Sequence, residues 1–414
     1  MAMRSRSLLP TQRVPARVSA QSMHESNVGP SAAPHVASPD DVVVYFDPPV
    51  HQLRRDSLFD RESNPYAGDK ILAPYAAVHQ RLAERGIEAH TADLLPDRPD
   101  GRRNILISYG MPDRMPSHTV RKYQALASRP DVVLSAFFAM ECPIVEPGLY
   151  ERLPEFAGQF RRVLSWSDTA SLLPFTEVPV DTESFRWPQS FDRVHDELWE
   201  TCDRAFLVMI NTNKLPRLYV DELYTARLRA VHFFQAFGEI DLYGRYWNAA
   251  PRRVGKTRTP ATFRRLGMKA WELRQRLLPD PLYVAAAAAD RGSVRSKSST
   301  LARYRFALCF ENSVLRGWMT EKLFDCFFVG TIPIYWGAPE ILDVVPKECF
   351  IDMRQFTDFA ELRAFLHALT PAAVDGYREA ARDYLASARF AEFRLTAWVE
   401  LHARIVADDT GLAV

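Results

Sequence analysis

Nowhere does the chain hold the ~20 consecutive apolar residues that a membrane-spanning helix needs. Near the N-terminus, basic residues are followed only by the brief Leu8-Leu9-Pro10, too short for the apolar core of a secretory leader. A cytoplasmic protein is expected, with peripheral contact at the inner membrane left open. Long basic runs are missing too: 52 basic residues almost cancel 51 acidic ones. That balance argues against an electrostatically driven nucleic-acid binder, so any anionic ligand has to be met by a few local charges. The five cysteines, Cys142, Cys202, Cys309, Cys326 and Cys349, form no CxxC pair, and no histidines sit near them at zinc-ligand spacing. Buried, reduced thiols are expected rather than a metal site. No repeat of 20 to 50 residues is present.

What is there is ordinary for a globular protein: 47% hydrophobic and 25% charged residues in 414. That length exceeds what one core usually serves, so two α/β domains are expected. Residues 1–40 are rich in Ser, Ala, Pro, Arg and Gln and read as a disordered tail. From residue 41 buried strands (VVVYF, IEAHTA, NILISY, DVVLSAFF, RRVLSW) alternate with helical patterns, which predicts a parallel Rossmann-like sheet over residues 41–195. The stretch through Pro174, Pro179 and Pro188 reads as irregular. A second Rossmann-like domain is predicted over residues 196–370, opening with the strand FLVMI, a loop at 211–216 and a long helix at 217–237 carrying Leu218, Leu223, Leu228, Val231 and Phe234. Residues 248–300 lack clear periodicity and read as a loosely packed, partly helical insertion. Residues 371–414 read as helices that pack back on the first domain.

Residues 304–337, YRFALCFENSVLRGWMTEKLFDCFFVGTIPIYWG, are the most informative stretch. Tyr304, Phe306, Leu308 and Phe310 alternate as in an interior strand, a polar loop follows, and Leu323, Phe324, Phe327 and Phe328 recur at helical spacing before Gly330. A strand feeding a loop and a helix N-terminus is where α/β sheets hold nucleotide phosphates. Lys322 could neutralise a diphosphate there and Glu321 could accept from ribose hydroxyls; by spacing alone the two are equally a solvated charge pair. Asn312 and Ser313 could orient a ligand or cap local backbone groups.

The segment FENSVLRGWMTEKLFDCFFVGTIPIYWGAP resembles the signature of glycosyltransferase family 10, the α-1,3/α-1,4-fucosyltransferases. The likeness is specific from about residue 304 to 356, weaker over 205–247 and fragmentary over 131–168. It implies a GT-B fold, two Rossmann-like domains facing a cleft, with an acceptor-binding first domain and a GDP-sugar-binding second one. It also implies inverting transfer, usually from GDP-fucose, with no cofactor required. Asn312, Glu321 and Lys322 fall on donor-binding positions, Lys322 on the diphosphate and Glu321 on the ribose. Trp318 stands where the family usually has a tyrosine, and an indole N–H cannot supply a phenolic oxygen.

LYTARLRAVHFF followed by IDLYGRYW resembles the family segment in which an arginine reaches the donor phosphates; spacing to Gly244 selects Arg227, with Arg229 as the alternative. Lys297 is a further phosphate candidate. MECP at 140–143 resembles the segment bearing the general base, which places that role on Glu141, with Glu146 as the alternative. Ser165, Trp166 and Asp168 occupy the place of an acceptor segment, with Trp166 and Asp168 as candidate acceptor contacts. No D-x-D triplet occurs, so donor charge falls to Lys322, an arginine and helix amides. The expected function is transfer of fucose from GDP-fucose to a glycan hydroxyl on an oligosaccharide or lipid-linked acceptor, in bacterial surface polysaccharide synthesis such as that of lipopolysaccharide. Use of another GDP-deoxysugar and a catalytically silent nucleotide-sugar-binding protein are the competing readings.

Overall fold

The structure, a computed structural model, describes residues 38–60, 71–110, 116–217, 220–254 and 261–414. The expected tail over 1–40 falls almost wholly outside the described residues, as does Leu218. Two parallel sheets are built from β-branched and aromatic runs too apolar to leave a face in water. The first comprises β1 (Val42–Asp47), β2 (Glu88–Thr91), β3 (Arg103–Ser108), β4 (Val132–Ala139), β5 (Arg162–Ser165) and β6 (Glu183–Ser184), in the order β2-β1-β3-β4-β5-β6. The later chain supplies β7 (Ala205–Ile210), β8 (Lys214–Leu215), β9 (Ile240–Tyr243), β10 (Arg252–Arg253), β11 (Tyr304–Phe310), β12 (Ile332–Trp336) and β13 (Ile351–Asp352). The second sheet runs β13-β12-β11-β7-β9, and β8 pairs with β10 separately. These are two Rossmann-like sheets, the GT-B architecture.

In each sheet the strand order reverses once, between β1 and β3 and between β7 and β11. Loops leaving the carboxyl ends at such a reversal diverge to opposite faces and open a crevice, where α/β sheets hold ligands. In the second sheet those loops begin after Ile210 and after Phe310. Register there is set by apolar pairs, Phe306 against both Leu207 and Ile332, and Phe310 against Trp336. A one-residue slip would turn both buried faces of β11 over at once.

The helix Leu395–Thr410 crosses back to the first sheet. It packs on the helix Ala73–Glu84 and buries Trp398 in the first core. The buried Asp409 carboxylate accepts from Arg161 at 2.9 Å and from Arg162 at 3.1 Å, and His402 Nε2 lies 2.8 Å from the Tyr109 hydroxyl. The helix Pro371–Ala386 instead stays with the second sheet, where Ala381, Tyr384 and Leu385 join the core formed by Phe324, Phe327 and Phe328.

Three local readings are corrected. The helix expected over 217–237 runs only from Tyr224 to Gln235, because Glu222 bridges Ser313 and the Leu223 N–H donates to the Asn312 carbonyl at 3.1 Å. Lys214 and Leu215, expected in a loop, form β8. The proline-rich stretch after β5 contains the helix Thr169–Thr176, started by Asp168 accepting from the Ser171 N–H at 2.8 Å. Four cysteines are buried as free thiols, while Cys202 is exposed. No described helix is long and apolar enough to cross a membrane.

Candidate active site

The site grows from the end of β11. Phe310 is the last ladder residue, and Glu311, whose N–H donates to the Trp336 carbonyl at 2.7 Å, is wholly buried. A carboxylate out of water must be paired and hydrogen-bonded to be tolerated. Glu311 Oε1 accepts from the Thr320 N–H at 2.8 Å, both carboxylate oxygens accept from Thr320 Oγ1 at 2.9 Å, and Oε2 accepts from Lys322 Nζ at 3.0 Å. Lys322 Nζ also donates to Thr320 Oγ1 at 2.8 Å. Burial works against the Lys322 ammonium, but the charges of Glu311 and Glu321 outweigh it and raise its pKa. Glu311 therefore ties the strand end to the start of the helix Glu321–Phe327 and keeps Lys322 a cation. Gly337, where β12 ends, makes room: a Cβ there would come within 2.5 Å of Glu311 Cγ.

Arg227 enters from the helix Tyr224–Gln235 and is buried over the Tyr224 ring, its guanidinium carbon 4.7 Å from the ring centroid. Its Nε and Nη2 donate to the Phe310 carbonyl at 3.2 and 2.7 Å, and Nη2 also donates to Asn312 Oδ1 at 3.0 Å. Arg229, two residues on, turns to the opposite side of the helix and is exposed. Ser313 Oγ donates to the Asp221 carbonyl at 3.1 Å, a loop-anchoring bond.

Glu321 is partly exposed and accepts from Lys297 Nζ at 3.0 Å. Lys297 also pairs with Asp325 at 2.6 Å. Burial opposes ionisation of Glu321, yet Lys297 and then Lys322 prevail and hold its carboxyl well below the usual range. Lys297 thus faces two carboxylates, which gives it an orienting position beside Glu321.

From the first sheet, β4 delivers Glu141 to the same place. Its carboxyl is pushed up by burial; Lys214 and Lys322 pull it down, while Glu146 and Glu321 add to the rise. Asn312 is near enough to the Cys142 thiol to hydrogen-bond to it, and burial pushes that thiol above the usual range. The carbonyl of Glu141 is held by the Tyr150 hydroxyl at 2.7 Å. Lys214, at the start of β8, is depressed by burial and partly restored by Glu141. Glu311 and Lys214 were not singled out from the sequence. Glu311 stood inside the FENS motif, and Lys214 opens β8 just after β7, where the strand order reverses.

The loop between Glu311 and Thr320 reaches across to the first sheet. Trp318 is buried against Trp166, ring centroids 4.7 Å apart, and its Nε1 has no partner. Trp166 Nε1 donates to the Met140 carbonyl at 3.0 Å. Gly317, at φ +83°, sits so close to the Trp166 carbonyl that a Cβ would lie 1.9 Å from the oxygen. Ser167 Oγ donates to the Arg316 carbonyl at 2.5 Å, and the Arg316 side chain pairs with Asp168 at 3.5 Å. Asp168 is thus occupied in capping its helix and holding Arg316, and Trp166 is covered by Trp318.

A largely covered lysine, a buried arginine and a raised carboxylate, gathered where the second sheet's order reverses and facing the end of β4, make a site suited to a nucleoside diphosphate and a proton transfer beside it. Residues 272–382 match the family model described as glycosyltransferase family 10 (fucosyltransferase) C-term. That part of the chain is similar to glycosyltransferase family 10. It is 41% identical to an alpha-(1,3)-fucosyltransferase of Helicobacter pylori over 69 residues, 17% of this chain and 14% of that protein. Identity to an alpha-(1,4)-fucosyltransferase of Arabidopsis thaliana is 38% over 69 residues, 17% of each chain. Identity to GDP-fucose protein O-fucosyltransferase 3 of Bos taurus is 36% over 98 residues, 23% of this chain and 20% of that one. The matched stretches span a fifth or less of these relatives' lengths. A crystal structure of an alpha1,3-fucosyltransferase aligns at 13% identity and a TM-score of 0.47, covering 92% of this chain and 94% of that one.

Proposed function

We propose that this protein is an inverting glycosyltransferase that moves fucose from GDP-fucose to a hydroxyl of a glycan acceptor, an oligosaccharide or lipid-linked precursor of a bacterial surface polysaccharide. The observation that carries the reading is the convergence of Glu141, from the first sheet, with Lys322 and Arg227, from the second. In this reading the GDP moiety lies against the end of β11 and the acceptor against the first sheet. Lys322 keeps an N–H beyond its bonds to Glu311 and Thr320 for a phosphate oxygen, and Arg227 keeps Nη1. Asn312 and Glu321 orient the donor.

The acceptor oxygen attacks the anomeric carbon from the face opposite GDP while Glu141 takes its proton. The bond from that carbon to the diphosphate oxygen breaks, and the charge released on GDP is met by Lys322 and Arg227. One step with one base inverts the anomeric centre. A raised carboxyl suits Glu141 for the role, because a base works best with a pKa nearer the operating pH. Support for the donor comes also from the relative whose printed name specifies GDP-fucose.

The test is thermal unfolding with and without GDP-fucose. A ligand at 100 times its Kd adds about 2.7 kcal/mol to stability, enough to move the midpoint by several degrees. Lys322→Ala is expected to remove most of that shift; a shift of wild-type size in the variant overturns the donor assignment. Trp318 favours a second reading, another GDP-deoxysugar, since its indole N–H is unpartnered at the loop where the family carries a tyrosine. Parallel transfer assays with several GDP-sugars separate the two.

A further inference from the structure

Between β10 and β11 the chain makes a 17-residue helix, Ala261–Leu277, whose described side chains take almost no part in any core. From residue 265 onwards its side chains are exposed except Trp271 and Gln275. Trp271 holds it to the next helix, its ring meeting Tyr283 edge-on with centroids 5.4 Å apart, and Gln275 Oε1 accepts from the Asp280 N–H of the following turn at 2.9 Å. At about 100° per residue, Trp271 and Gln275 share one side of the helix. On the other side Leu266, Leu273 and Leu277 fall within an arc of about 40°. They are 65%, 58% and 71% exposed, and Leu278 just beyond the helix is 73% exposed.

A surface helix of a globular protein turns its leucines inward. Here the polar-to-apolar order is reversed: the anchoring face is one tryptophan and one glutamine, and the leucines point away from the protein. The stripe is bordered by Lys269 and Arg276 on one side and Arg274 on the other, all exposed and none in an ion pair among the described residues. The single acid of this stretch, Glu272, lies away from the stripe. Long basic side chains bordering an apolar stripe can lie along it and keep their charges at its edges, the pattern of a helix lying in the plane of a bilayer surface.

We propose that the outward face of Ala261–Leu277 docks on an anionic lipid bilayer surface, with the three leucines in the headgroup-acyl boundary and Lys269, Arg274 and Arg276 against the acidic headgroups. Charge decides between this and a second copy of the same helix. Stripe against stripe would set these three cations against their own counterparts, and like charges at such spacing repel. Acidic headgroups meet all three. The proposal stands on the helix alone and does not depend on which sugar the site transfers.

Flotation of the full chain with vesicles of phosphatidylcholine and phosphatidylglycerol (3:1), and with phosphatidylcholine alone, tests it. Binding is expected to the mixed vesicles and to fall with added salt. Each basic side chain near an anionic surface contributes about fivefold to partitioning, so Lys269→Glu combined with Arg276→Glu should reduce it by well over tenfold. Leu273→Glu with Leu277→Glu should abolish it. All four side chains are exposed, so unfolding midpoints should match the wild type and show that the variants fold. Equal binding by the variants, equal binding to neutral vesicles, or a concentration-dependent dimer that Leu273→Glu dissolves without any vesicle binding would each overturn the proposal.

Discussion

Glu311 gives the sharpest test of how the strand end is built. Glu311→Gln keeps shape and volume, so the change is electrical. The amide oxygen can still accept from the Thr320 N–H, but the 3.0 Å pair with Lys322 becomes a neutral group facing an ammonium whose side chain is only 15% exposed. Removing one partner of a buried pair costs about 3–5 kcal/mol, most of it the stranded charge. The amide retains one neutral bond and Lys322 keeps Thr320, so about 3 kcal/mol is the expected loss. In a cooperative unit of 150–250 residues that lowers the unfolding midpoint by roughly 6–12 °C. Scanning calorimetry of the unliganded protein is the assay, with Glu348→Gln, an exposed carboxylate outside any ion pair among the described residues, as the control. A Glu311→Gln midpoint within 2 °C of the control would refute the assignment of Glu311 as the buried anchor of Lys322.

Glu141→Gln should keep the thermal shift with GDP-fucose and lose transfer. Because burial lifts the Glu141 carboxyl, the wild-type rate should climb with pH through a value above the ordinary carboxylate range, and near-full turnover in the variant rejects it as base. Burial depresses His402 from 6.5 to about 4. The unfolded chain takes up that proton below pH 6.5 while the folded one refuses it until about pH 4, so stability falls across that window, by up to about 3 kcal/mol. His402→Gln should flatten the slope measured by urea titration at each pH; an unchanged slope rejects His402 as its source. Gly317→Ala should cost more than the about 1–2 kcal/mol of left-handed strain, since the new Cβ meets the Trp166 carbonyl, and wild-type stability in that variant would show the contact to be loose.

The parallel strands were legible because they are long apolar runs bounded by polar or turn residues, and the sequence around Phe310 and Lys322 carried enough spacing to read a strand, a polar loop and a helix start there. What escaped reading depends on partners distant in sequence. The helix at Tyr224 starts late because Glu222 and Leu223 are drawn to Ser313 and Asn312, some ninety residues on, a tertiary pairing that outweighs local helical pattern. Lys214 sits in a two-residue strand too short to show a period; its setting comes from the reversal of strand order and the approach of Glu141. Glu311 was in plain view as one letter of a motif, but its burial follows from Gly337 and Thr320. The helix at 261–277 escaped reading because its apolar stripe is only three leucines, widely spaced among basic residues, next to a proline and an alanine run.

Arg227 and Arg229 were separable only in three dimensions, and the reason reaches beyond that pair. Arg227 donates to the Phe310 carbonyl and to Asn312, the start of the loop whose other end is Thr320 and Lys322. The middle of that loop is held by the first half of the chain: Ser167 donates to the Arg316 carbonyl, Arg186 Nη1 to the Gly317 carbonyl at 3.2 Å, and Trp166 covers Trp318. Both ends of the loop therefore belong to the proposed phosphate-binding junction and its centre to the opposite sheet. A shift of one sheet against the other pulls directly on Glu311, Lys322 and Arg227. Under the proposed function, donor affinity and the approach of Glu141 are consequently not independent quantities. A substitution at Trp166 or Gly317, neither of them in the proposed phosphate site, should change donor binding through the loop alone.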